Sequence, residues 1–137
     1  MKKLWLPLTM IVVLAAIAVA GYWAKRPAEA ESIACSNPVA GCDFRHDEAT
    51  VRVHFSELPV PLEPFSLSVT APGSTRVSVE FQMVGMDMGF NRYDLRLQPE
   101  GVFSSRITLP VCISGRRDWL LYLQIDEKNY VLPFSSR

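Results

Sequence analysis

The segment MVGMDMG, residues 83–89, places three thioether side chains within six positions, at Met83, Met86 and Met88. Methionine often fills irregular gaps in cores, so the first question is which of the three are packing residues. The preceding residues VSVEFQM alternate apolar and polar side chains, which is typical of a half-buried strand. Met83 falls on the apolar side of this pattern, whereas Met86 and Met88 fall on the polar side unless a bulge at Gly85 changes the register. We therefore expect Met83 in the core and the other two facing solvent.

Side chains of other segments that bind soft metal ions are expected near Met86 and Met88. If successive strands alternate in direction, three predicted strands run toward one end of the fold: 51–55, 77–83 and 102–109. His54, Met86, Met88 and Cys112 then lie in or beside the loops at that end. Thioether, thiolate and imidazole are ligands that select Cu(I). The sequence thus predicts a Cu(I) site formed by Met86 and Met88, with Cys112 or His54 as third ligand. The alternative is that both methionines pack over the end of the fold and Cys112 is buried or disulfide-bonded.

From residue 50 onward the chain has the pattern of short strands separated by turns. Alternating or branched and aromatic segments occur at 51–55, 65–69, 77–83, 93–97, 102–109, 119–125 and 130–134. Proline and glycine mark the connections between them. This pattern predicts an all-β domain over residues 50–137, an immunoglobulin-like antiparallel β-sandwich of about seven strands, with a small barrel as the alternative. Pro133 identifies the last strand as an edge strand.

The amino terminus has the composition of a membrane span. Residues 4–24 are apolar or uncharged and follow two lysines, and the run is long enough to cross a bilayer. Trp5 at one end and Trp23 at the other suit the membrane interfaces. We predict a signal anchor over residues 1–24, with a cytoplasmic start and a single pass. The alternative is a cleaved secretory signal, because the tripeptides AVA and AEA both have the form that signal peptidase accepts. Both interpretations carry the rest of the chain out of the cytoplasm.

Residues 25–49 have the character of a linker that contains a cysteine loop. The segment CSNPVAGC places a proline and a glycine between Cys35 and Cys42, a turn that brings their sulfur atoms together. Disulfides form in the oxidising compartment that the amino terminus predicts. We expect a Cys35–Cys42 disulfide that leaves Cys112 unpaired, with Cys42–Cys112 as the alternative pairing.

Charge and motif content argue against other classes of protein. The formal net charge is zero, and the sequence lacks the basic patch or stripe that indicates nucleic-acid binding. No nucleophile with a base within motif distance, no phosphate-binding loop and no zinc pattern occurs, so we expect no enzymatic activity. His46 lies among charged residues in DFRHDE, which predicts a solvated loop histidine. The two arginines of SGRRDW are expected to cap a strand rather than bind an anion.

Two longer runs carry a family resemblance. FQMVGMDMGFNRYDLRL (81–97), followed by GVFSSRITLPVCISGRRDWLLYLQI (101–125), resembles the FixH/YtkA-like family of membrane-anchored periplasmic β-sandwich proteins. The shared pattern is a methionine-containing turn after a strand, a glycine–aromatic strand start, and an LP…SGRW-like turn before a strand that begins with an aromatic residue. The resemblance covers about residues 50–126, and the single amino-terminal span also matches.

The resemblance implies an accessory protein of the bacterial inner membrane with its carboxyl-terminal domain in the periplasm. Such proteins are associated with metal-cation traffic or respiratory oxidase assembly and are not enzymes. The methionine turn corresponds here to Met86 and Met88, and the later aromatic to Trp119. Our leading hypothesis is therefore that the protein binds or delivers Cu(I). The alternative hypothesis is a metal-free interaction module that docks on a membrane protein complex, such as a respiratory oxidase, through the same apolar end.

Overall fold

The structure is a computed structural model that describes residues 2–24, 29–86, 88–89, 91–111 and 113–137, with side chains from residue 7 onward. Helix α1 spans Lys2–Ala24, and none of its residues from Pro7 to Ala24 is buried. Its segment Pro7–Ala24 is long and apolar enough to cross a membrane, a property that membrane anchors share with signal sequences. The predicted amino-terminal apolar helix is confirmed, and its role as a permanent anchor stays a prediction.

The remainder is mostly β, arranged as two five-stranded sheets around one core. The strands are β1 Glu31–Ser32, β2 Cys42–His46, β3 Ala49–Phe55, β4 Pro64–Thr70, β5 Val77–Met83, β6 Arg92–Asp94, β7 Arg96–Leu97, β8 Phe103–Thr108, β9 Asp118–Ile125 and β10 Lys128–Ser135. One sheet has the order β1-β10-β9-β5-β6, and the other has the order β2-β3-β4-β8-β7. The last strand, β10, is therefore not the edge strand that Pro133 predicted, because the short β1 pairs with it at Tyr130 and Val131. All neighbouring strands are antiparallel except β1 and β10, which are parallel.

The strand count is ten rather than seven, for two reasons. The segment 93–97 is not one strand, because Leu95 separates β6 in one sheet from β7 in the other. Strands β1 and β2 lie in the segment that the sequence assigned to a linker, so much of residues 29–49 is part of the sheets. β1 has only two residues, and β2 places charged Asp43 and Arg45 outward, so neither shows a long apolar alternation.

Alternating side chains from both sheets form the core. Phe55 and Phe65 from one sheet meet Phe81 and Phe134 from the other, with centroid distances of 5.2 Å for Phe55–Phe134 and 6.2 Å for Phe65–Phe81. Both contacts are edge-to-face, the arrangement that aromatic pairs favour. Met83 is 2% exposed and belongs to this core, which confirms the packing role that strand parity predicted for it.

The alternating strand directions give the sandwich two different ends. We call one end the loop pole; it comprises residues 35–41, 56–63, 84–86, 88–89, 109–111 and 113–117. We call the other end the hairpin pole; it comprises the turns 47–48, 71–76, 98–102 and 126–127. At the loop pole the Leu62 N–H donates to the Leu109 carbonyl at 2.9 Å, and the Arg137 N–H donates to the Pro59 carbonyl at 2.8 Å. The loops after β3, β5 and β8 therefore meet at one end, as the alternation of strand direction predicts.

Candidate functional site

Met86 and Met88 occupy different environments at the loop pole. The chain reverses in a tight turn after β5, where the Met86 N–H donates to the Met83 carbonyl at 3.2 Å. Gly85 has a φ of 73°, a conformation that a residue with a Cβ rarely adopts. Met86 is 37% exposed, whereas Met88 is half-buried and packs against the core. The two thioethers are thus presented by a turn and not by one extended polar face.

The other two predicted ligands are placed differently. His54 lies on the outer face of β3, is exposed, and is paired in register with Ser68 of β4. It belongs to the sheet opposite β5, so its side chain points away from the core that separates the two sheets. Cys112 lies outside the described residues. Among the described residues, no group of three or more His, Cys, Asp or Glu side chains is arranged to hold a metal ion.

The predicted Cys35–Cys42 disulfide is confirmed, with a Cα–Cα distance of 5.6 Å. It joins the segment after β1 to the first residue of β2, and so connects the two sheets at one edge. Gly41 is required in the intervening turn, because its φ is 96° and a Cβ there would lie 2.7 Å from the Arg52 guanidinium. That guanidinium donates to the Ala40 carbonyl at 3.0 Å, which fixes the turn against β3.

The loop pole carries most of the exposed apolar surface outside α1. Seven large apolar side chains of the described strand-bearing region are exposed, and six of them belong to this pole: Leu58, Leu62, Val84, Met86, Val111 and Ile113. Ile113 is fully exposed, and Val111 is 59% exposed. These six residues come from three separate loops, so their clustering results from the fold. Apolar side chains gathered on one surface indicate an interaction site more strongly than scattered ones.

A cavity of about 620 Å³ opens beside this apolar surface. Leu58 and Val84 line it from two different loops, and Trp119 and Phe134 line it from β9 and β10. The Trp119 indole donates to the Ser136 hydroxyl at 3.3 Å, so the ring has a fixed orientation. Polar residues, among them Ser36, Asn37 and Asp118, complete the lining, so the cavity has both apolar and polar walls. A cavity of this kind can receive anchoring side chains of a partner.

Charged groups border the cavity on one side. The Arg116 guanidinium binds both carboxylate oxygens of Asp118, the first residue of β9, with one contact of 2.9 Å. These hydrogen bonds hold the pKa of Asp118 below its ordinary value. Because Arg116 is engaged at the start of a strand, its geometry agrees with the capping role expected for SGRRDW.

The hairpin pole contains the main polar network that the sequence analysis missed. His46 is 7% exposed, not solvated as predicted, and its Nδ1 lies 2.7 Å from the Tyr130 hydroxyl. Its Nε2 lies 3.6 Å from an Asp47 carboxylate oxygen. His46 ends β2 and Tyr130 belongs to β10, so this contact joins the two sheets. Burial raises the pKa of Tyr130, which keeps the hydroxyl protonated.

Two aspartates complete the hairpin pole. Asp47 and Asp126 each adopt a positive φ, 53° and 51°, in equivalent two-residue turns. The Lys128 ammonium binds Asp47 and holds the pKa of that carboxyl below its usual value. Asp126 accepts hydrogen bonds from the Thr75 hydroxyl and from two backbone N–H groups, of Thr75 and Arg76, which lower its pKa. The carboxylates of Asp47 and Asp126 are therefore occupied by internal partners.

The residues that sequence reasoning missed carry weak local signals. His46 was surrounded by charged neighbours, and only its pairing across the sheets with Tyr130 shows that it is buried. Ile113 and Val111 occur in a loop whose sequence contains no strand period. A signal was available for these two, since apolar residues in a polar, glycine-containing loop often serve contacts.

Comparison of the chain with protein-family models, with curated proteins and with solved structures found no match. The resemblance to the FixH/YtkA-like family therefore remains a hypothesis drawn from the residues of the methionine turn and the SGRRDW segment.

Proposed function

We propose that the protein is a membrane-anchored docking module whose loop pole binds another protein. The observation that carries this proposal is the presence of six exposed apolar side chains, contributed by three loops, at one pole, where two of them, Leu58 and Val84, line a cavity. Helix α1 supplies the anchor. The disulfide and the strands fix the three loops on a rigid body, which lowers the entropic cost of binding.

The physical basis is the exchange of water contacts for apolar contacts. Each exposed aliphatic side chain that becomes buried contributes up to about 1.5–3 kcal/mol. Interfaces concentrate their binding energy in a few anchors that fill pockets, surrounded by contacts that exclude water. Here the exposed side chains of Ile113 and Val111 contribute contact surface, and the cavity beside Trp119 receives the partner's anchor.

Site-specific photo-crosslinking tests the proposal. A photoreactive phenylalanine analogue is introduced into the full-length protein at Ile113, and in a matched control at Glu127, which is exposed at the hairpin pole. The protein is expressed in its native membranes and irradiated. We expect a discrete protein adduct from position 113 and none from position 127.

A second variant separates specific docking from random contact. Leu62→Ser, Val84→Ser and Val111→Ser change the neighbouring apolar surface while leaving the photoreactive residue in place. We expect these substitutions to reduce the adduct strongly. An adduct that survives all three, or equal adducts from both poles, would contradict the proposal.

The finer assignments belong to the same proposal. Export of the strand domain to the periplasm, and a bacterial inner-membrane complex such as a respiratory oxidase as partner, are supported by the basic amino terminus, the disulfide and the family resemblance. Two mainly antiparallel sheets around an aromatic core also support an immunoglobulin-like classification.

A second candidate function is Cu(I) binding at the same pole. The observation that favours it is the exposed thioether of Met86, on a turn at the end where the β8–β9 loop, which carries Cys112, also lies. Met88 follows two residues later as the second sulfur donor, whereas His54, the other predicted third ligand, lies on the outer face of the opposite sheet. Soft sulfur ligands select monovalent copper, so the chain would bind or hand over Cu(I).

Titration of the full chain with Cu(I) against a competing chelator tests this candidate. Met86→Leu with Met88→Leu removes both thioethers while nearly conserving volume, so folding should be preserved. Met83→Leu is the matched control, because that thioether is buried in the core. We expect loss of Cu(I) affinity only in the double variant, and unchanged affinity would exclude the two methionines as ligands.

A further inference from the structure

The order of the first two elements determines which pole lies nearer the membrane helix. β1 is parallel to β10, with Glu31 opposite Tyr130 and Ser32 opposite Val131. β10 starts at Lys128, directly after the turn of the hairpin pole, and runs toward the loop pole. The chain that leaves α1 therefore enters the sandwich at the hairpin pole. The loop pole is the opposite end.

The length of the tether limits the alternatives. Seven residue steps separate Ala24, the end of α1, from Glu31. They span at most about 24 Å when fully extended. From Tyr130, the partner of Glu31, β10 continues for about 17 Å toward the loop pole, and the loops extend further. When the domain stands upright on this tether, the hairpin pole is the end nearer the bilayer, and the loop pole reaches lipid only if the domain tilts onto its side or inverts.

The surface chemistry of the two poles agrees with this orientation. Six of the seven exposed large apolar side chains of the described strand-bearing region belong to the loop pole, and the seventh, Leu97, ends β7 beside the hairpin pole. Its turns present Asp47, Asp126, Glu127 and Lys128, which are compatible with hydrated lipid headgroups. The exposed apolar groups, including Ile113 and Val111, belong to the end that the tether holds away from lipid.

We infer that the loop pole stands off from the membrane that anchors it, and that its partner is the apolar, water-exposed surface of another protein rather than the lipid bilayer. This inference rests on the proposed docking function and on retention of α1. It also specifies where the partner's binding surface lies: farther from the bilayer than the length of the sandwich. The alternative is that the exposed apolar loop residues insert shallowly into the lipid bilayer.

Energy transfer to labelled lipid tests the orientation. Full-length protein is reconstituted in lipid nanodiscs, with a donor dye on a non-natural amino acid at Ile113 or at Glu127 and acceptor dyes on the lipid headgroups. Both positions are exposed, and the labelling chemistry leaves the cysteines untouched. We expect severalfold higher transfer from position 127 than from position 113. Equal transfer, or higher transfer from position 113, would overturn the inference.

Two further readouts separate this inference from the proposed function. Intact mass of the protein purified from membranes reports whether residues 1–24 remain, and their removal would overturn the inference. The photo-crosslinked adduct at position 113 reports docking independently. Normal orientation without a protein adduct contradicts the docking function alone. A protein adduct together with high lipid transfer from position 113 contradicts the orientation alone.

Discussion

The two poles of this sandwich are built from the same strands but have opposite surfaces. At the hairpin pole, His46 binds Tyr130 and Asp47 binds Lys128, so polar groups satisfy one another. At the loop pole, Ile113 and the neighbouring aliphatic side chains remain exposed. Because water contact with apolar groups is unfavourable, the loop pole is the surface that gains most from a partner. At the hairpin pole, these polar side chains already have partners within the chain.

The difference follows from the lengths of the connections. Two connections of the hairpin pole are two-residue turns in which Asp47 and Asp126 adopt a positive φ, and the connection 71–76 is held by hydrogen bonds to Asp126. Aspartate tolerates this conformation because its side chain hydrogen-bonds locally. The loop pole contains longer segments, such as 56–63 and 109–117, whose side chains are free of the strict alternation of strands. Function is commonly carried by such loops on a rigid scaffold.

The largest effect is expected just beneath the loop pole, at Trp119. Its side chain is 1% exposed and lines the cavity, so Trp119→Ala should lower the free energy of unfolding by about 3–5 kcal/mol. Denaturant unfolding of the full chain in mild detergent, followed by circular dichroism, measures this change. Trp23→Ala on exposed α1 is the matched control and should leave the transition unchanged. A small loss at Trp119 would show that the cavity wall is not part of the core.

The disulfide is expected to have the next largest effect. Cys35→Ala with Cys42→Ala opens a short loop, and the chain-entropy treatment gives a loss of about 2.5 kcal/mol. The loss should appear in the same unfolding experiment and be reproduced in the unmodified protein by a reducing agent. If reduction leaves the unfolding free energy unchanged, the bond does not hold β2 across the sheets.

The His46–Tyr130 contact of the hairpin pole can be compared with a second tyrosine hydrogen bond, which lies at the opposite edge of the sandwich. Tyr130→Phe leaves the buried His46 ring nitrogen without its partner and should cost about 1–3 kcal/mol. Tyr93→Phe removes the hydrogen bond to the Thr108 carbonyl, measured at 3.0 Å at a more exposed site, and should cost less. Equal losses of unfolding free energy in the two variants would show that the burial of His46 does not make its contact with Tyr130 more important than the Tyr93 hydrogen bond.

Acid sensitivity should be concentrated at the hairpin pole. The fold lowers the pKa of Asp126, so its ionised form stabilises the native state at pH values above its unfolded pKa, near 4. This contribution is lost as the pH falls from about 4 through the lower native pKa. Asp126→Asn should therefore flatten the fall in stability below pH 4, as measured by denaturant unfolding at several pH values. An unchanged pH profile would remove Asp126 from the account.

The smallest effect on stability is expected on the loop pole surface. Val111→Ser and Ile113→Ser change exposed side chains, so the unfolding free energy should move by no more than about 0.5 kcal/mol. The same unfolding experiment measures it. A large loss would mean that these residues serve folding, and their exposure would then need no partner to explain it.

Much of the fold could be predicted from residue patterns. Strand β5 matches the alternation of 77–83 at both ends, and the buried position of Met83 follows from the same parity. The Cys35–Cys42 pairing follows from the turn residues between the cysteines. These features are local, because a period of two or a short loop is fully encoded in adjacent residues.

The features that escaped prediction depend on contacts between distant segments. β2 is a strand because β3 pairs with it, and His46 is buried because Tyr130, 84 residues away, lies against it. The turn after Met83 reverses the chain at Gly85, so parity could not be extended to Met88. The loop pole surface likewise appears only when three loops meet.

A photo-crosslinking scan across both poles tests whether the loop pole, and not the hairpin pole, binds another protein. The photoreactive residue is placed in turn at three exposed positions of the loop pole, 62, 84 and 113, and at three of the hairpin pole, 48, 76 and 127. We expect one common protein adduct from the loop pole positions and none from the hairpin pole positions. Adducts confined to the hairpin pole, or no protein adduct from any loop pole position, would contradict it.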